Sequence, residues 1–218
     1  MRICLKTTSN KELVPFDYLP LLVGTFHKWL GENGMHNDLS LYSLSWLKGA
    51  KASNNGLSFS QGASFFISAY DDLVIKRIIA GIRSSPDTFC GMVVREVIIQ
   101  ETPSFLESMT FAVISPILVK TMKDGKQKHL TFDDSESTEI LTNVLKRKLL
   151  KAGLDDSNVK VSFDRTYIHR KTKLINYRGV GNKANVCPVT VEGTPEQIAF
   201  AWNVGIGHST GIGFGALN

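Results

Sequence analysis

Twice along the 218 residues the spacing of apolar side chains runs strand, helix, strand, strand, helix, strand. Residues 2–7 alternate as a strand does, and residues 16–30 carry Leu19, Leu22, Val23, Phe26 and Leu30 at helical spacing, with Gly31 and Gly34 to end the helix. Strands follow over 39–48 and 57–69, the second carrying Phe59, Phe65, Phe66 and Ile67. A helix over 71–82 and a strand over 92–100 complete the first set. In the second set, 111–120 reads as a strand and 138–150 as a helix with Ile140, Leu141, Val144, Leu145 and Leu149 inward. Two strands then occupy a basic region. Thr194, Pro195 and Gln197 have the pattern of an N-cap, a first helical position and a capping box, so a last helix runs to Val204 and a glycine-rich loop feeds the last strand. A βαββαβ order repeated once predicts an α+β chain of two tandem ferredoxin-like domains. Glu101-Thr102-Pro103-Ser104 interrupts the apolar pattern, dividing the chain into 1–104 and 105–218.

The terminal loop, Gly205-Ile206-Gly207-His208-Ser209-Thr210-Gly211-Ile212-Gly213-Phe214-Gly215, holds five glycines. A dinucleotide or Walker loop must open a helix that faces the phosphate, and only Ala216, Leu217 and Asn218 follow. The remaining reading is a bare backbone that a ligand approaches closely, its N–H groups free for the phosphates of a polynucleotide.

Charge supports such a partner. Lys and Arg total 25 against 20 acids, and the isoelectric point is near 9.1. Lys160, Arg165, Arg170, Lys171, Lys173, Arg178 and Lys183 face only Asp164, so this stretch carries +6 and the rest of the chain −1. A solvated face is the ordinary reading of a charge run, but Phe163, Tyr167 and Tyr177 lie among these charges as stacking platforms would. The expected partner is RNA or DNA.

Cys4, Cys90 and Cys187 are far apart, which indicates neither a disulfide framework nor a zinc knuckle. The start, Met1-Arg2-Ile3-Cys4-Leu5-Lys6, turns polar too soon for a signal peptide, and no apolar run reaches membrane-spanning length. The expectation is a cytoplasmic protein without a membrane partner.

The tail Gly205-x-Gly207, followed after five residues by Gly213-x-Gly215, resembles the C-terminal glycine signature of the CRISPR-associated endoribonucleases that cut precursor CRISPR RNA within its repeats, a branch of the repeat-associated RNA-binding superfamily. Phe111-Ala112-Val113-Ile114-Ser115-Pro116-Ile117 resembles the Ser-Pro strand opening that family's second domain, and Leu41-Tyr42-Ser43-Leu44-Ser45 its early aromatic-Thr-aromatic-Ser segment. The likeness spans nearly the whole chain in order. It implies cleavage without a metal or cofactor: the 2′-hydroxyl of the substrate attacks the adjacent phosphate, leaving a 2′,3′-cyclic phosphate and a 5′-hydroxyl.

That chemistry needs a base for the 2′-hydroxyl proton, an acid for the leaving 5′-oxygen and donors around the phosphorane. Histidine serves the first two because its pKa lies near neutrality. By resemblance His36, in Gly34-Met35-His36-Asn37, matches the family's usual catalytic histidine, and His27 a helical position where relatives often carry tyrosine. From the residues alone His27 also reads as a histidine half-packed beside Val23 and Leu30. Relatives often place a lysine just before the aromatic-Ser strand, where Asp38, Leu39 and Ser40 stand here. Lys28, Lys48 and Lys51 are the alternatives for phosphate stabilisation, or are exposed lysines of the ordinary kind. Tyr42 and Ser45 either donate hydrogen bonds from the strand or alternate in and out of a half-buried sheet.

The RNA-binding set is the seven basic residues above with Gly205, Gly207, His208, Ser209, Thr210, Gly211, Gly213 and Gly215; a polar turn is the alternative for His208-Ser209-Thr210. His129 and His169 read as surface residues, His169 with RNA contact as its alternative because Arg170, Lys171 and Lys173 adjoin it. The implied partners are a CRISPR repeat transcript and other effector subunits, and the chain is a monomer or a homodimer. Two further classes remain open: a guide-RNA-binding subunit that does not cut, and a general single-strand RNA-binding protein, although the aromatic signature of the common RNA-recognition motif is absent.

Overall fold

The computed structural model describes residues 1–32 and 39–218. The first half contains β1 (Arg2–Thr7), α1 (Leu19–Leu30), β2 (Tyr42–Leu44), β3 (Lys51–Ser53), β4 (Gly56–Ser58), β5 (Ser64–Ala69), α2 (Asp72–Ser84) and β6 (Val94–Gln100). The second contains β7 (Ser108–Phe111), β8 (Val119–Lys123), β9 (Lys126–Leu130), α3 (Ser137–Lys151), β10 (Lys160–Phe163), β11 (Lys171–Tyr177), β12 (Val180–Val186), β13 (Val189–Glu192), α4 (Pro195–Val204) and a 3₁₀ turn at Thr210–Ile212.

In the first half β2, β5, β1 and β6 form one antiparallel sheet in that order, with Ile3 opposite Ile67 and Ile99. Ile3 and Leu5 point from one face into a core with Phe26 of α1 and Ile75 and Ile78 of α2. Arg2 lies on the alternate face, as the period of two requires. Helix α1 starts three residues later than its apolar spacing suggests, because Pro20 fits only in a first turn. Asp71 caps α2, accepting from the Leu73 N–H at 2.8 Å.

The second half repeats the plan. Strands β10, β13 and β7 form the sheet, and the place of a fourth strand beside β7 is taken by one bridge, Val113 with Leu217, supported by the Ile114 N–H donating to Ala216 O at 2.8 Å. Both halves therefore show the ferredoxin-like strand order, and the chain is an α+β protein of two tandem ferredoxin-like units. Two hairpins are inserted in the second unit, β8–β9 and β11–β12.

Four expected elements differ. The strand over 39–48 shortens to β2. The strand over 57–69 divides into β4 and β5 at a turn closed by the Gly62 N–H on Phe59 O. The strand over 111–120 divides around Ser115-Pro116, since proline has no N–H for a ladder and Ser115 is drawn to the other half. The strand after the glycine loop is the single bridge at Leu217. By contrast, α4 has the expected bounds and its capping box, with Gln197 N–H on Thr194 Oγ1 at 3.2 Å and Thr194 N–H on Gln197 Oε1 at 2.8 Å.

Buried polar groups tie the halves together. The Arg2 guanidinium lies between the rings of Phe66 and Trp202, 3.8 and 3.5 Å from their centroids, and donates to Leu217 O at 2.9 Å. Burial lowers its pKa to about 9. Ser115 Oγ donates to Leu44 O and accepts from the Trp46 N–H, both at 3.1 Å. Asn203 Oδ1 accepts from the N-terminal ammonium and from Ser68 Oγ, also at 3.1 Å.

Candidate functional site

The two halves meet around Tyr42. Its ring stacks on Phe26 of α1 at 4.6 Å, and the Phe26 ring meets that of His27 edge-on at 5.1 Å. The Tyr42 hydroxyl is hydrogen-bonded to Ser40, and burial raises its pKa. Gly211 of the terminal loop lies directly against it: a Cβ there would sit 2.9 Å from the Tyr42 hydroxyl and inside contact distance of Ser40 Oγ. Tyr177, at the end of β11, is close enough to act on Tyr42 electrostatically. Helix α1, strand β2, the glycine loop and the β11–β12 hairpin therefore converge on one residue.

Behind this point Lys148 of α3 is buried, with no carboxylate paired to it among the described residues. Its ammonium donates to Val204 O and Gly205 O at 3.1 Å and to Thr210 Oγ1 at 3.0 Å, using all three protons. Thr210 Oγ1 then donates to Tyr42 O at 2.9 Å. Burial pulls the Lys148 pKa down to about 7. Two carbonyls at the C-terminal end of α4 and the Thr210 hydroxyl favour the charged form against that pull.

The glycine loop is an internal element. Gly205, Gly207, Gly211, Gly213 and Gly215 are all buried, and each approaches the protein's own chain rather than open space. Gly215, at φ +64, lies so near Ile206 O that any Cβ would overlap it. The expectation that these glycines bare their backbone to RNA is corrected accordingly: the close approach is between protein segments. Thr210 is 1% exposed with its hydroxyl engaged, which leaves His208 and Ser209, both half-buried, as the loop's polar surface. His208 Nδ1 accepts from the Lys120 N–H at 3.2 Å, so its proton sits on Nε2, and burial with Lys120, Lys148 and Arg147 nearby holds its pKa down to about 4.

The basic residues divide. Lys171, Lys173, Arg178 and Lys183 are on the β11–β12 hairpin and exposed, with Lys173 Nζ 4.6 Å from the Trp46 ring centroid. Arg170 lies over Phe132 at 5.6 Å, Arg165 donates to Asp134 O at 3.2 Å, and Lys160 pairs with Glu192 at 3.9 Å. Phe163 is in the second core and is no stacking platform, whereas Tyr167 is 40% exposed, edge-on to His169. His129 Nδ1 accepts from the Lys183 N–H at 3.3 Å.

Of the other site expectations, Ser45 is fully buried, its oxygen accepting from the Phe66 N–H at 2.7 Å and donating to Trp46 O at 3.2 Å, so it faces no ligand. Lys28 turns to Ser85 Oγ and Asp87 O. Lys48 is opposite Ser64 and Tyr42 opposite Ala69, five residues or roughly 17 Å apart along β5. Lys51 is exposed on β3, opposite Ser58. None of these lysines reaches Tyr42. His36 lies outside the described residues.

Residues 100–218 match the family model described as CRISPR associated protein Cas6, C-terminal. The chain belongs to the Cas6 family. That membership places it among CRISPR-associated proteins that process or bind RNA. Solved structures agree on the fold. A Cas6-related protein from Pyrococcus furiosus aligns with TM-score 0.86 at 21% identity, over 100% of this chain and 97% of that one. A structure described as CRISPR associated protein Cas6 gives 0.82 at 21%, over 100% and 98%. An RAMP protein binding different RNA substrates gives 0.83 at 19%, over 100% and 98%. No curated protein sequence matches.

For a Cas6-family chain, the residues that sequence reading missed are those joining the halves. Lys148 follows Val144 by four and Leu141 by seven, which puts it on the apolar stripe of α3. A lysine at such a position is a signal that a buried partner exists. Arg2 gives no such signal, because at a period of two it shares its face of β1 with Lys6. Among the described residues no helix is long and apolar enough to cross a membrane.

Proposed function

We propose that this protein is an endoribonuclease that cleaves precursor CRISPR RNA within its repeats without a metal, by attack of the substrate 2′-hydroxyl on the adjacent phosphate. The proposed ends are a 2′,3′-cyclic phosphate and a 5′-hydroxyl. Residues 1–104 carry the chemistry and 105–218 the basic RNA-binding surface. His36 and His27 exchange the two protons; the assignment of His36 rests on its sequence resemblance. Tyr42, stacked on the Phe26 ring that meets His27, is the proposed hydrogen-bond donor to the phosphate.

The observation that carries this reading is the convergence of Phe26–His27, Gly211 and Tyr177 on Tyr42, at the turn end of an exposed hairpin bearing Lys171, Lys173, Arg178 and Lys183. RNA held on the hairpin runs past the end of α1, where a histidine is available for proton transfer worth roughly 10²–10⁴-fold in rate. RNA is the partner, held as by a monomer or homodimer in the cytoplasm, alone or with other effector subunits.

The test uses labelled repeat RNA with and without chelator. Wild-type protein cuts it equally in both, and His36→Ala binds but does not cut. A requirement for divalent metal, or full activity of His36→Ala, overturns the assignment. Binding without cutting by the wild type would instead make the chain a guide-RNA-binding subunit.

A further inference from the structure

A groove of about 430 Å³ lies between the outer edge of β11 and the first half, lined by Phe16, Asp17, Tyr18, Trp46, Leu57 and Lys173, with Asn176 at one side. Phe16 is 59% exposed although it is a large aromatic ring. Among the described residues β11 pairs only with β12, so its other edge offers backbone donors and acceptors to the groove. The far wall is rigid. Trp46 Nε1 donates to Gly213 O at 2.7 Å, and the Tyr18 hydroxyl accepts from the Leu47 N–H at 3.0 Å. A second cavity, lined by Lys171, Thr172, Lys173, Trp46 and Pro116, adjoins the first across the shared Trp46–Lys173 pair.

We propose that this groove binds one unpaired base of the RNA, stacked on Phe16, with the adjoining phosphates on Lys173 and Lys171. The inference rests on the RNA-binding reading above and adds a site apart from the His27 cleft. Charge and shape choose the occupant. The walls are aromatic and aliphatic, as a base face requires; the rim is cationic, as a phosphodiester requires; and Asp17, Asn176 and the β11 edge offer acceptors and donors to the base edge. The volume lies within the range of small-ligand sites. A base held there also fixes register, because Tyr177 near the cleft and Lys173 at the groove lie four residues apart on β11, about 13 Å.

The test is an abasic scan of the CRISPR repeat RNA of the source genome. One ribose at a time loses its base, and the dissociation constant is measured with the full-length chain and with Phe16→Ala. In the wild type, one unpaired position costs about tenfold in affinity, the scale of one base–aromatic stack. Phe16→Ala weakens the intact repeat by the same factor and is indifferent to base loss at that position only. Because Phe16 is exposed, the variant keeps the wild-type melting temperature. If wild type and variant bind and cut with the same abasic profile, the groove does not hold a base and serves a protein side chain or nothing. If the wild type does not bind the intact repeat, both the groove and the RNA-processing reading fail.

Discussion

The Lys148 ammonium donates to the Thr210 hydroxyl at 3.0 Å, and that hydroxyl donates onward to the Tyr42 carbonyl, linking a helix of the second half to a strand of the first through the glycine loop. Replacing Lys148 by Met keeps the volume but leaves Val204 O, Gly205 O and Thr210 short of a donor in a buried place. A loss of about 2–4 kcal/mol in urea unfolding is expected. A variant as stable as the wild type would mean the three contacts contribute nothing net.

The same residue sets a pH dependence. Its pKa is about 7 in the fold against 10.5 unfolded, so above pH 7 the unfolded chain binds more protons and stability rises with pH. The slope from this group is at most about 1.4 kcal/mol per pH unit. Unfolding of wild type and Lys148→Met, compared between pH 7 and 8.5, isolates it: the difference in slope belongs to Lys148. Equal slopes would mean that its pKa in the fold is near the ordinary value.

His208 stays neutral at physiological pH because its pKa is held down to about 4. His208→Ala should therefore leave the pH–rate profile of RNA cleavage with the same apparent pKa values, whatever it does to binding. Loss of a limb near neutrality would bring His208 into the chemistry.

The terminal glycines should be intolerant for internal reasons. Gly215→Ala places a Cβ on Ile206 O at positive φ, whereas Gly125→Ala, also at positive φ, meets open space. Thermal unfolding should show a loss of several kcal/mol for the first and about 1 kcal/mol for the second. Similar, small losses would mean that the loop relaxes freely.

These residues also mark how far the sequence could be read. Helix α4 was legible to the residue, since Thr194, Pro195 and Gln197 act through local bonds, and both ferredoxin-like units were legible from periodicity. The glycine spacing was visible, but what each glycine touches was not: Leu19, Tyr42 and Ile206 approach them through tertiary packing. Ser45 carried a hydroxyl on a strand and could be read either way until Phe66 was seen opposite. The charge run reads as two strands but holds three, β10, β11 and β12, because the inward residues Ile175 and Ala184 of the β11–β12 hairpin pack on the other half rather than on a neighbouring strand of its own sheet. Lys148 was passed over because a lysine in a helix is ordinarily solvated.

The proposed mechanism stands most directly on the substrate's own hydroxyl. Repeat RNA is prepared with a single 2′-deoxy nucleotide immediately 5′ of the cut, and single-turnover cleavage is followed in the presence of chelator. The account predicts that this RNA is bound as tightly as the all-ribose repeat and is not cut there, while the all-ribose repeat yields a 2′,3′-cyclic phosphate. Cleavage of the deoxy-substituted RNA at the same bond would contradict it.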